Sequence, residues 1–163
     1  MTTEELIGEI VLADENETRK FARRLSPFLG EGDVLALDGD LGAGKTAFSR
    51  ALINAFPATE GAEQTEEVPS PTFTLVQIYD RAEKQVWHFD LYRLEDPEEA
   101  YELGIEEAFS EGISLIEWPD RLGFLMPRGH LKVKLSYGEG ETARVLKLVG
   151  GPKWRERLSP LFS

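Results

Sequence analysis

The order of apolar and polar residues along the chain predicts strands that alternate with helices. An amphipathic helix is expected after Asp14, which is a candidate N-cap, because apolar residues follow it at helical spacing up to Gly30. A second helix is expected over residues 45–56, directly after a glycine-rich turn. Short apolar runs predict strands at residues 7–12, 34–38 and 113–116.

Two pairs of β-rich runs predict antiparallel hairpins, namely residues 72–79 with 85–91 and residues 131–137 with 142–149. The first hairpin is expected to turn through a five-residue loop at 80–84. Asp96 followed by Pro97 marks the start of another helix, since proline is favoured at the first helical position.

These elements predict one α/β domain over residues 1–163, because a chain of 163 residues has the usual length of a single domain. The expected architecture has three layers, with a mixed central sheet flanked by helices and containing the antiparallel hairpins. Residues 57–71 are rich in Glu, Pro, Thr and Gly and are expected to form a mobile, switch-like loop. The tail at 151–163 is expected to form a short helix from Trp154, and its sequence pattern predicts no other element.

The composition narrows the chemistry available to the chain. The absence of cysteine excludes disulfides, thiolate nucleophiles, zinc ribbons and iron–sulfur clusters. With two histidines, any metal is expected to be a hard cation with oxygen ligands. The net charge of −12 repels phosphate backbones, so direct binding of DNA or RNA is not expected. No signal-peptide pattern and no membrane-spanning apolar run is found, which predicts a cytoplasmic protein without membrane contact.

Residues 39–46, Gly-Asp-Leu-Gly-Ala-Gly-Lys-Thr, fit the phosphate-binding pattern G-x-x-x-x-G-K-[ST] without a mismatch. Glycines let such a loop turn its backbone N–H groups toward phosphate oxygens, beside a helix N-terminus. Lys45, expected in solvent, would reach the β and γ phosphates, and the Thr46 hydroxyl would bind Mg²⁺. The motif follows a buried strand and opens a helix, which predicts a P-loop NTPase-like fold.

The same residues also fit the dinucleotide pattern G-x-G-x-x-[GA], starting at Gly42. This alternative is weaker because Asp40 and Leu41 lengthen the loop beyond the strand end. The acid that dinucleotide sites need about 20 residues later would also have to come from the irregular stretch at 60–67.

Two carboxylates follow apolar strands and are candidates for the chemistry of hydrolysis. Glu117 has the position of a Walker B acid and would hold Mg²⁺ directly or through water. Asp90 would bind Mg²⁺ or orient water. The alternative for either residue is a strand-end carboxylate that caps a neighbouring helix. His88, two residues before Asp90, is interpreted as a structural or hydrogen-bonding histidine, since no G-x-S-x-G elbow supports a hydrolase.

Three further residues are candidates for coupling the site to nucleotide state or to partners. A hydroxyl at Ser70 or Thr72 would meet the metal or the γ-phosphate, as in switch segments; the alternative is a Ser-Pro turn that starts a strand. Trp118 is either a core anchor or an aromatic residue that faces a partner, and the sequence does not separate these.

Four segments together resemble the bacterial TsaE (YjeE) family, namely the glycine loop at 39–46, Ser-Pro-Thr-Phe at 70–73, His-Phe-Asp-Leu-Tyr-Arg at 88–93 and Glu-Trp-Pro at 117–119. The resemblance extends from about Leu12 to Arg144. It implies a small P-loop ATPase that uses ATP and Mg²⁺ and works with TsaD and TsaB. Together they make N6-threonylcarbamoyladenosine at position 37 of tRNAs that read ANN codons. The resemblance further implies that TsaD transfers the threonylcarbamoyl group and that ATP hydrolysis by this subunit resets the complex. The chain would then reach tRNA through these partners.

The resemblance also implies roles for individual residues. The catalytic residues are Lys45, Asp90 and Glu117, and the magnesium ligands are Thr46 and Glu117. Ser70 to Phe73 is similar to switch I, and Trp118 to the family's aromatic residue beside the acid. The residues expected at the nucleotide are Glu15, Gly39, Asp40, Leu41, Gly42, Ala43, Gly44, Lys45, Thr46 and Ala47.

The sequence departs from the family pattern at two places. Ala47 stands where relatives often have a second Thr, and the stretch at 57–68 is longer and more acidic than usual.

A small-molecule kinase is the first alternative function, although the acidic stretch suits neither a phosphate nor a phosphorylated acceptor. The second is a nucleotide-gated interaction module without turnover. A switch protein that binds guanine nucleotides is disfavoured because no N-K-x-D motif is present.

Overall fold

The computed structural model describes residues 4–40, 42–57, 75–81 and 84–162. Within these ranges the strands are β1 (Glu5–Leu12), β2 (Val34–Asp38), β3 (Val76–Arg81), β4 (Lys84–Asp90), β5 (Ile113–Glu117), β6 (Leu131–Tyr137) and β7 (Arg144–Gly150). The α-helices are α1 (Glu15–Leu25), α2 (Lys45–Ala55), α3 (Ile105–Glu111) and α4 (Pro152–Leu158). Short 3₁₀ segments occupy Ser26–Phe28, Pro97–Leu103, Pro119–Leu125 and Ser159–Leu161.

The seven strands form one mixed sheet in the order β1-β7-β6-β2-β5-β4-β3. The middle of the sheet is parallel, since β2 pairs with β5 and β6, and β5 pairs with β4. The outer pairs β1–β7, β6–β7 and β3–β4 are antiparallel. The predicted mixed sheet with two hairpins is therefore confirmed. Because parallel strands end at the same edge, the residues at the carboxyl ends of β2, β4 and β5 lie close together.

Apolar side chains cover both faces of the sheet and produce the three predicted layers. Leu35 and Leu115 pack with α1, α2 and α4 on one face. Phe89 and Ile116 pack with α3 and the 3₁₀ segments at 97–103 and 119–125 on the other face. Leu115 and Ile116 point to opposite faces because successive strand residues alternate.

The helix starts predicted from capping residues are confirmed. The Asp14 carboxylate accepts a hydrogen bond at 3.0 Å from the backbone N–H of Glu17, and Asp96 accepts one at 3.1 Å from Glu98 N. After Asp96 the chain forms a 3₁₀ segment that ends at Gly104, whose φ is +83°. A side chain is disfavoured at that backbone angle, so glycine separates this segment from α3.

The predicted loop of the first hairpin is too long. Arg81 pairs with Lys84 and Asp80 pairs with Gln85, so the ladder runs into the stretch expected to be a loop. Asp80 faces water on this edge strand, whereas Arg81 is buried and donates a hydrogen bond from Nε to the Ile53 carbonyl at 3.2 Å, so both polar residues are accommodated. The predicted start of this strand at residue 72 lies outside the described residues.

The tail after Gly150 is ordered as a short helix, as expected from Trp154. Trp154, Leu158 and Leu161 are buried in the core shared with α1 and α2. Most of the stretch predicted to be a mobile loop, residues 58–71, lies outside the described residues. None of the helices in the described ranges has the length and hydropathy of a membrane span.

Candidate functional site

The loop between β2 and α2 takes its shape from glycines. Gly39 lies so close to β6 that a Cβ there would be 2.5 Å from the carbonyl oxygen of Leu135. Gly44 has a φ of +109°, which side-chain-bearing residues rarely adopt. The Asp40 carbonyl accepts a hydrogen bond from Ala43 N at 2.9 Å and closes the turn. The observed path therefore requires glycine at both positions.

The first turn of α2 presents its backbone N–H groups at this loop. The N-cap of α2 is Gly44, and no side chain caps the helix. The first N–H groups of a helix have no partner within the helix, and the helix dipole adds a partial positive charge at the same end. An uncapped N-terminus beside a curled loop is suited to bind phosphate.

The side chain of Lys45 is folded into the site rather than exposed. Only 6% of Lys45 is accessible, which contradicts the expectation that it lies in solvent. Its ammonium donates a hydrogen bond at 2.7 Å to the Gly39 carbonyl and lies 3.9 Å from the centre of the Trp118 ring. Both contacts hold the cation at the mouth of the loop. A cation–π contact of this kind contributes about 0.5–2 kcal/mol.

Glu117 and Thr46 meet at the predicted magnesium position. Glu117 ends β5 and is 3% exposed. The Thr46 hydroxyl lies 3.0 Å from Oε1 and 3.3 Å from Oε2 of Glu117, and it donates to that carboxylate. The two residues are 71 positions apart in sequence. The fold therefore brings Thr46, the residue that ends the glycine motif, into contact with Glu117 at the end of β5.

His88 also belongs to this cluster, in agreement with the prediction of a structural or hydrogen-bonding histidine. It is fully buried, and its Nε2 lies 2.6 Å from Glu117 Oε2. Since a carboxylate accepts, Nε2 is the donor. Among the described residues, no hydrogen-bond partner is found for Nδ1 of His88. Glu117 is thus held from one side by the Thr46 hydroxyl and from the other by the imidazole.

Asp90 lies beside Glu117 at the same edge of the sheet. The two residues are register partners on β4 and β5, and Asp90 is 5% exposed. Asp90 Oδ1 accepts a hydrogen bond from the backbone N–H of Tyr92 at 3.1 Å. Because His88 and Asp90 are two residues apart, their side chains share a face of β4. Tyr92 lies in a turn, so this hydrogen bond differs from the alternative in which the carboxylate caps a neighbouring helix.

Trp118 forms a wall of the site in a strained backbone conformation. Its φ and ψ are +61° and +53°, a left-handed geometry that is rare for a bulky residue and costs about 1–3 kcal/mol. The indole packs against Tyr92 with 4.9 Å between ring centres. It also covers the Lys45 ammonium. Strained residues of this kind cluster at functional sites, where the surroundings hold them.

A small recess on the other side of the loop brings Glu15 to the motif. The recess has a volume of about 70 Å³ and lies between the start of α1, the start of α2 and the β6–β7 hairpin. Glu15, Gly44 and Ala47 line it together with Thr142 and Arg144. The Arg144 guanidinium lies 4.7 Å from the centre of the Tyr137 ring. The structure thus places Glu15 and Ala47 next to the loop.

Three of the predicted site residues, Leu41, Ser70 and Thr72, lie outside the described ranges. Two residues that line the recess, Thr142 and Arg144, were not predicted, because nothing in their local sequence marks them. His88 carried a usable signal, because its spacing from Asp90 places both side chains on one face of a strand.

The donor set at Thr46 and Glu117 fits a magnesium ion bound together with a nucleotide. Mg²⁺ usually takes one or two protein oxygens and completes its shell with phosphate oxygens and water. Here one hydroxyl and one carboxylate lie in contact beside an uncapped helix N-terminus. In the part of the chain that the structure describes, no group of three His, Asp or Glu side chains forms a ready metal cage. Phosphate ligands would therefore supply the remaining coordination.

The family model and the curated relatives that match this chain all indicate the same family. A family model described as threonylcarbamoyl adenosine biosynthesis protein TsaE matches residues 12–146. The tRNA threonylcarbamoyladenosine biosynthesis protein TsaE of Rickettsia felis is 37% identical over 159 residues, covering 94% of this chain and 90% of the relative. The protein of the same description from Haemophilus influenzae is 36% identical and covers 89% of this chain and 88% of the relative.

A solved structure supports the fold. The crystal structure of Bacillus subtilis YdiB superposes with a TM-score of 0.74 at 25% sequence identity, covering 99% of this chain and 95% of that one. The part of the sequence that matches the family model contains the glycine loop, Asp90 and Glu117, whereas α4 lies beyond it.

Proposed function

Because the chain belongs to the TsaE family of threonylcarbamoyl adenosine biosynthesis proteins, we propose that it is the Mg²⁺-dependent, ATP-hydrolysing subunit of the machinery that modifies position 37 of tRNA. Its work in that machinery is to bind ATP at the glycine loop and to hydrolyse it while docked on a TsaD–TsaB complex. The cytoplasm is the compartment that this role requires. The chain meets tRNA through its partners, since its net charge of −12 opposes autonomous binding to a polyanion.

The observation that carries this proposal is the contact between Thr46 and Glu117. A glycine loop alone binds phosphate, but hydrolysis also needs an acid at the metal. The 3.0 Å hydrogen bond from the Thr46 hydroxyl to the Glu117 carboxylate supports this proposal, because the two residues proposed as magnesium ligands are in contact next to the loop. When bound, Mg²⁺ would neutralise charge on the β and γ phosphates.

The remaining side chains have separate tasks in this proposal. The Lys45 ammonium, which donates to the Gly39 carbonyl at 2.7 Å in this structure, leaves that oxygen and turns to the phosphates. His88 holds the Glu117 carboxylate in place from the side away from Thr46. Asp90 orients the attacking water and accepts its proton, directly or through a second water. Glu15 lines the nucleotide side of the loop.

Trp118 links the site to the partners in this proposal. Its ring covers the Lys45 ammonium at 3.9 Å, so a movement of Lys45 toward phosphate uncovers one face of the indole. The switch segment proposed at 70–73, with the hydroxyls of Ser70 and Thr72, precedes β3 in the chain and would respond to the γ-phosphate. A partner that contacts Trp118 or this segment would therefore sense the nucleotide state.

The binding step is tested by substituting the lysine of the loop. Lys45→Ala removes a charge-assisted contact to phosphate, which we expect to weaken Mg²⁺–ATP binding by about tenfold or more. Lys20→Ala is the matched control, because Lys20 is an exposed lysine on α1. Isothermal titration calorimetry gives the dissociation constants of both variants. Circular dichroism checks that the Lys45→Ala variant is folded. An unchanged dissociation constant in folded Lys45→Ala would refute the assignment of the nucleotide site.

A further inference from the structure

The indole of Trp118 covers the ammonium of Lys45. Lys45 is 6% exposed. Its ammonium lies 3.9 Å from the centre of the Trp118 ring and donates at 2.7 Å to the Gly39 carbonyl. A phosphate oxygen that accepts from an ammonium lies about 2.8 Å from the nitrogen, the distance of a charge-assisted hydrogen bond. A phosphate can therefore reach this cation only after the ring and the ammonium separate.

The ring and an incoming phosphate compete for the same charge. The face of an aromatic ring is partly negative and attracts an ammonium, most strongly where water is excluded. Phosphate carries full negative charge and accepts hydrogen bonds, so it is the stronger partner for Lys45. When a ligand binds only to an open state, its affinity is reduced by the fraction of molecules in that state. The contact with Trp118 is therefore expected to lower the affinity for nucleotide.

The backbone of Trp118 favours the opening of this contact. Its φ and ψ of +61° and +53° are left-handed, a conformation that is unfavourable for a residue with a bulky side chain. Pro119 follows directly and further restricts the backbone of the residue before it. Such strain persists only where the surrounding structure holds it. The closed position of the indole thus depends on its neighbours.

Tyr92 packs against the indole and holds it in this position. The two ring centres lie 4.9 Å apart with the rings inclined at 56°, a tilted arrangement that aromatic pairs favour. The Arg121 guanidinium lies 5.9 Å from the centre of the Tyr92 ring. A hydrogen bond at 3.1 Å from Leu91 N to the Glu117 carbonyl joins the chain before Tyr92 to the chain before Trp118. The Tyr92 ring is therefore fixed against the indole, although 51% of Tyr92 is exposed.

The backbone of Tyr92 makes a separate contact with Asp90. Its N–H donates at 3.1 Å to Asp90 Oδ1. This hydrogen bond uses the main chain, so a non-proline side chain at position 92 leaves it in place. A substitution of Tyr92 thus removes the packing on Trp118 without removing a hydrogen bond from Asp90.

We propose that Trp118 locks Lys45 in the nucleotide-free chain and that Tyr92 is the positioning residue of this lock. In the closed state the indole covers the ammonium, and the phosphates of the nucleotide separate the two when they bind. The inference rests on the proposed function, because the ligand meant is Mg²⁺–ATP at the glycine loop. It adds that the isolated chain binds ATP more weakly than its open site would, since part of the binding free energy is used to open the lock.

The test compares two substitutions that loosen the lock. Trp118→Leu removes the ring over the ammonium, and Tyr92→Leu removes the ring that packs on the indole. We expect either variant of the isolated chain to bind Mg²⁺–ATP about twofold to tenfold more tightly in isothermal titration calorimetry, because a contact that opposes binding is lost. Urea unfolding without nucleotide should show both variants to be less stable than the parent. A purely structural role would lower the stability without tightening the binding.

Three controls relate the effect to the lock. Tyr92→Phe keeps the ring and should bind ATP as the parent does. Tyr101→Leu is the matched control and should also bind as the parent does, because Tyr101 is 47% exposed and lies on the 3₁₀ segment at Pro97–Leu103. In a Lys45→Ala background, Trp118→Leu should leave the dissociation constant of that background unchanged, since the lock acts through the ammonium.

The outcomes separate the lock from the function on which it rests. If the parent chain fails to bind Mg²⁺–ATP, the proposed function is overturned and the lock with it. If the parent binds and the folded Trp118→Leu and Tyr92→Leu variants bind equally well or more weakly, the lock alone is overturned. Should Trp118→Leu fail to fold, Tyr92→Leu decides, because its site is half exposed. Tighter binding caused by Trp118→Leu in the Lys45→Ala background would also contradict the proposal.

Discussion

Glu117 is held by two side chains that lie far from it in sequence. Thr46 donates to its carboxylate at 3.0 Å and His88 at 2.6 Å, and all three residues are wholly or partly buried. The sequence identified Thr46 and Glu117 as candidates because each belongs to a recognisable pattern. It did not connect His88 to them, because the motif at 88–93 does not show which distant residue the histidine contacts. Only the parallel pairing of β4 with β5 brings the imidazole to the acid.

The first prediction concerns this histidine. His88→Leu leaves a buried carboxylate with one fewer donor, which we expect to destabilise the fold by about 1–3 kcal/mol. Residues that orient a metal ligand typically contribute about 10–100-fold to metal affinity or activity, so Mg²⁺-dependent ATP turnover should fall by a factor in that range. Urea unfolding and the magnesium dependence of turnover measure the two effects.

His88→Gln is the matched variant for this prediction, because its amide can still donate to Glu117. It should recover part of the turnover and should need less magnesium for half-maximal rate than His88→Leu. A purely structural histidine would give two variants with the same magnesium dependence. That result would remove His88 from the site.

At the level of single elements, capping residues and apolar runs placed α1, α2 and most of the strands, whereas α3 and the 3₁₀ segment at Pro119–Leu125 were not predicted. Asp14 begins α1 and Asp96 begins the 3₁₀ segment at Pro97–Leu103, each through a hydrogen bond to a backbone N–H. The loop of the first hairpin was wrong for a physical reason. Asp80 and Arg81 are polar, yet they pair in an edge strand, because Asp80 is exposed to water and the buried Arg81 donates from Nε to the Ile53 carbonyl.

The second prediction belongs to α1. Asp14→Ala removes the side-chain acceptor of the Glu17 N–H and is expected to lower the free energy of unfolding by about 1 kcal/mol. Asp14→Asn keeps a capping oxygen and should remain close to the parent. Thermal or urea unfolding without nucleotide checks both values. Equal stabilities for Asp14→Ala and the parent would mean that this cap contributes nothing to the fold.

At the scale of the whole molecule, the sheet order assembles the site. Residues from α2, β4 and β5 converge because β2, β5 and β4 are parallel neighbours that end at one edge. The mixed sheet and its layers were predictable from the strand, loop and helix pattern. Strand order was not, since it depends on pairings between distant segments. The recess lined by Thr142 and Arg144 escaped prediction for the same reason, because the β6–β7 hairpin reaches the glycine loop only in the folded chain.

The charge of the molecule is also distributed in a way that the total of −12 conceals. The 3₁₀ segment at Pro97–Leu103 and α3 carry six glutamates and no Lys or Arg, whereas residues 128–163 contain eight Lys and Arg against three Asp and Glu. Net charge alone argued against direct contact with nucleic acid and gave no reason to look for a basic surface.

The most direct test of the account is the rate of Mg²⁺–ATP hydrolysis by the purified chain, alone and with TsaB and TsaD added. We expect a slow basal rate that needs magnesium, rises when the partners are present, and is lost in Asp90→Asn while ATP binding persists. Tight ATP binding with no turnover under either condition would contradict the account and indicate a nucleotide-gated module. Normal turnover by Asp90→Asn would contradict the role given to that carboxylate.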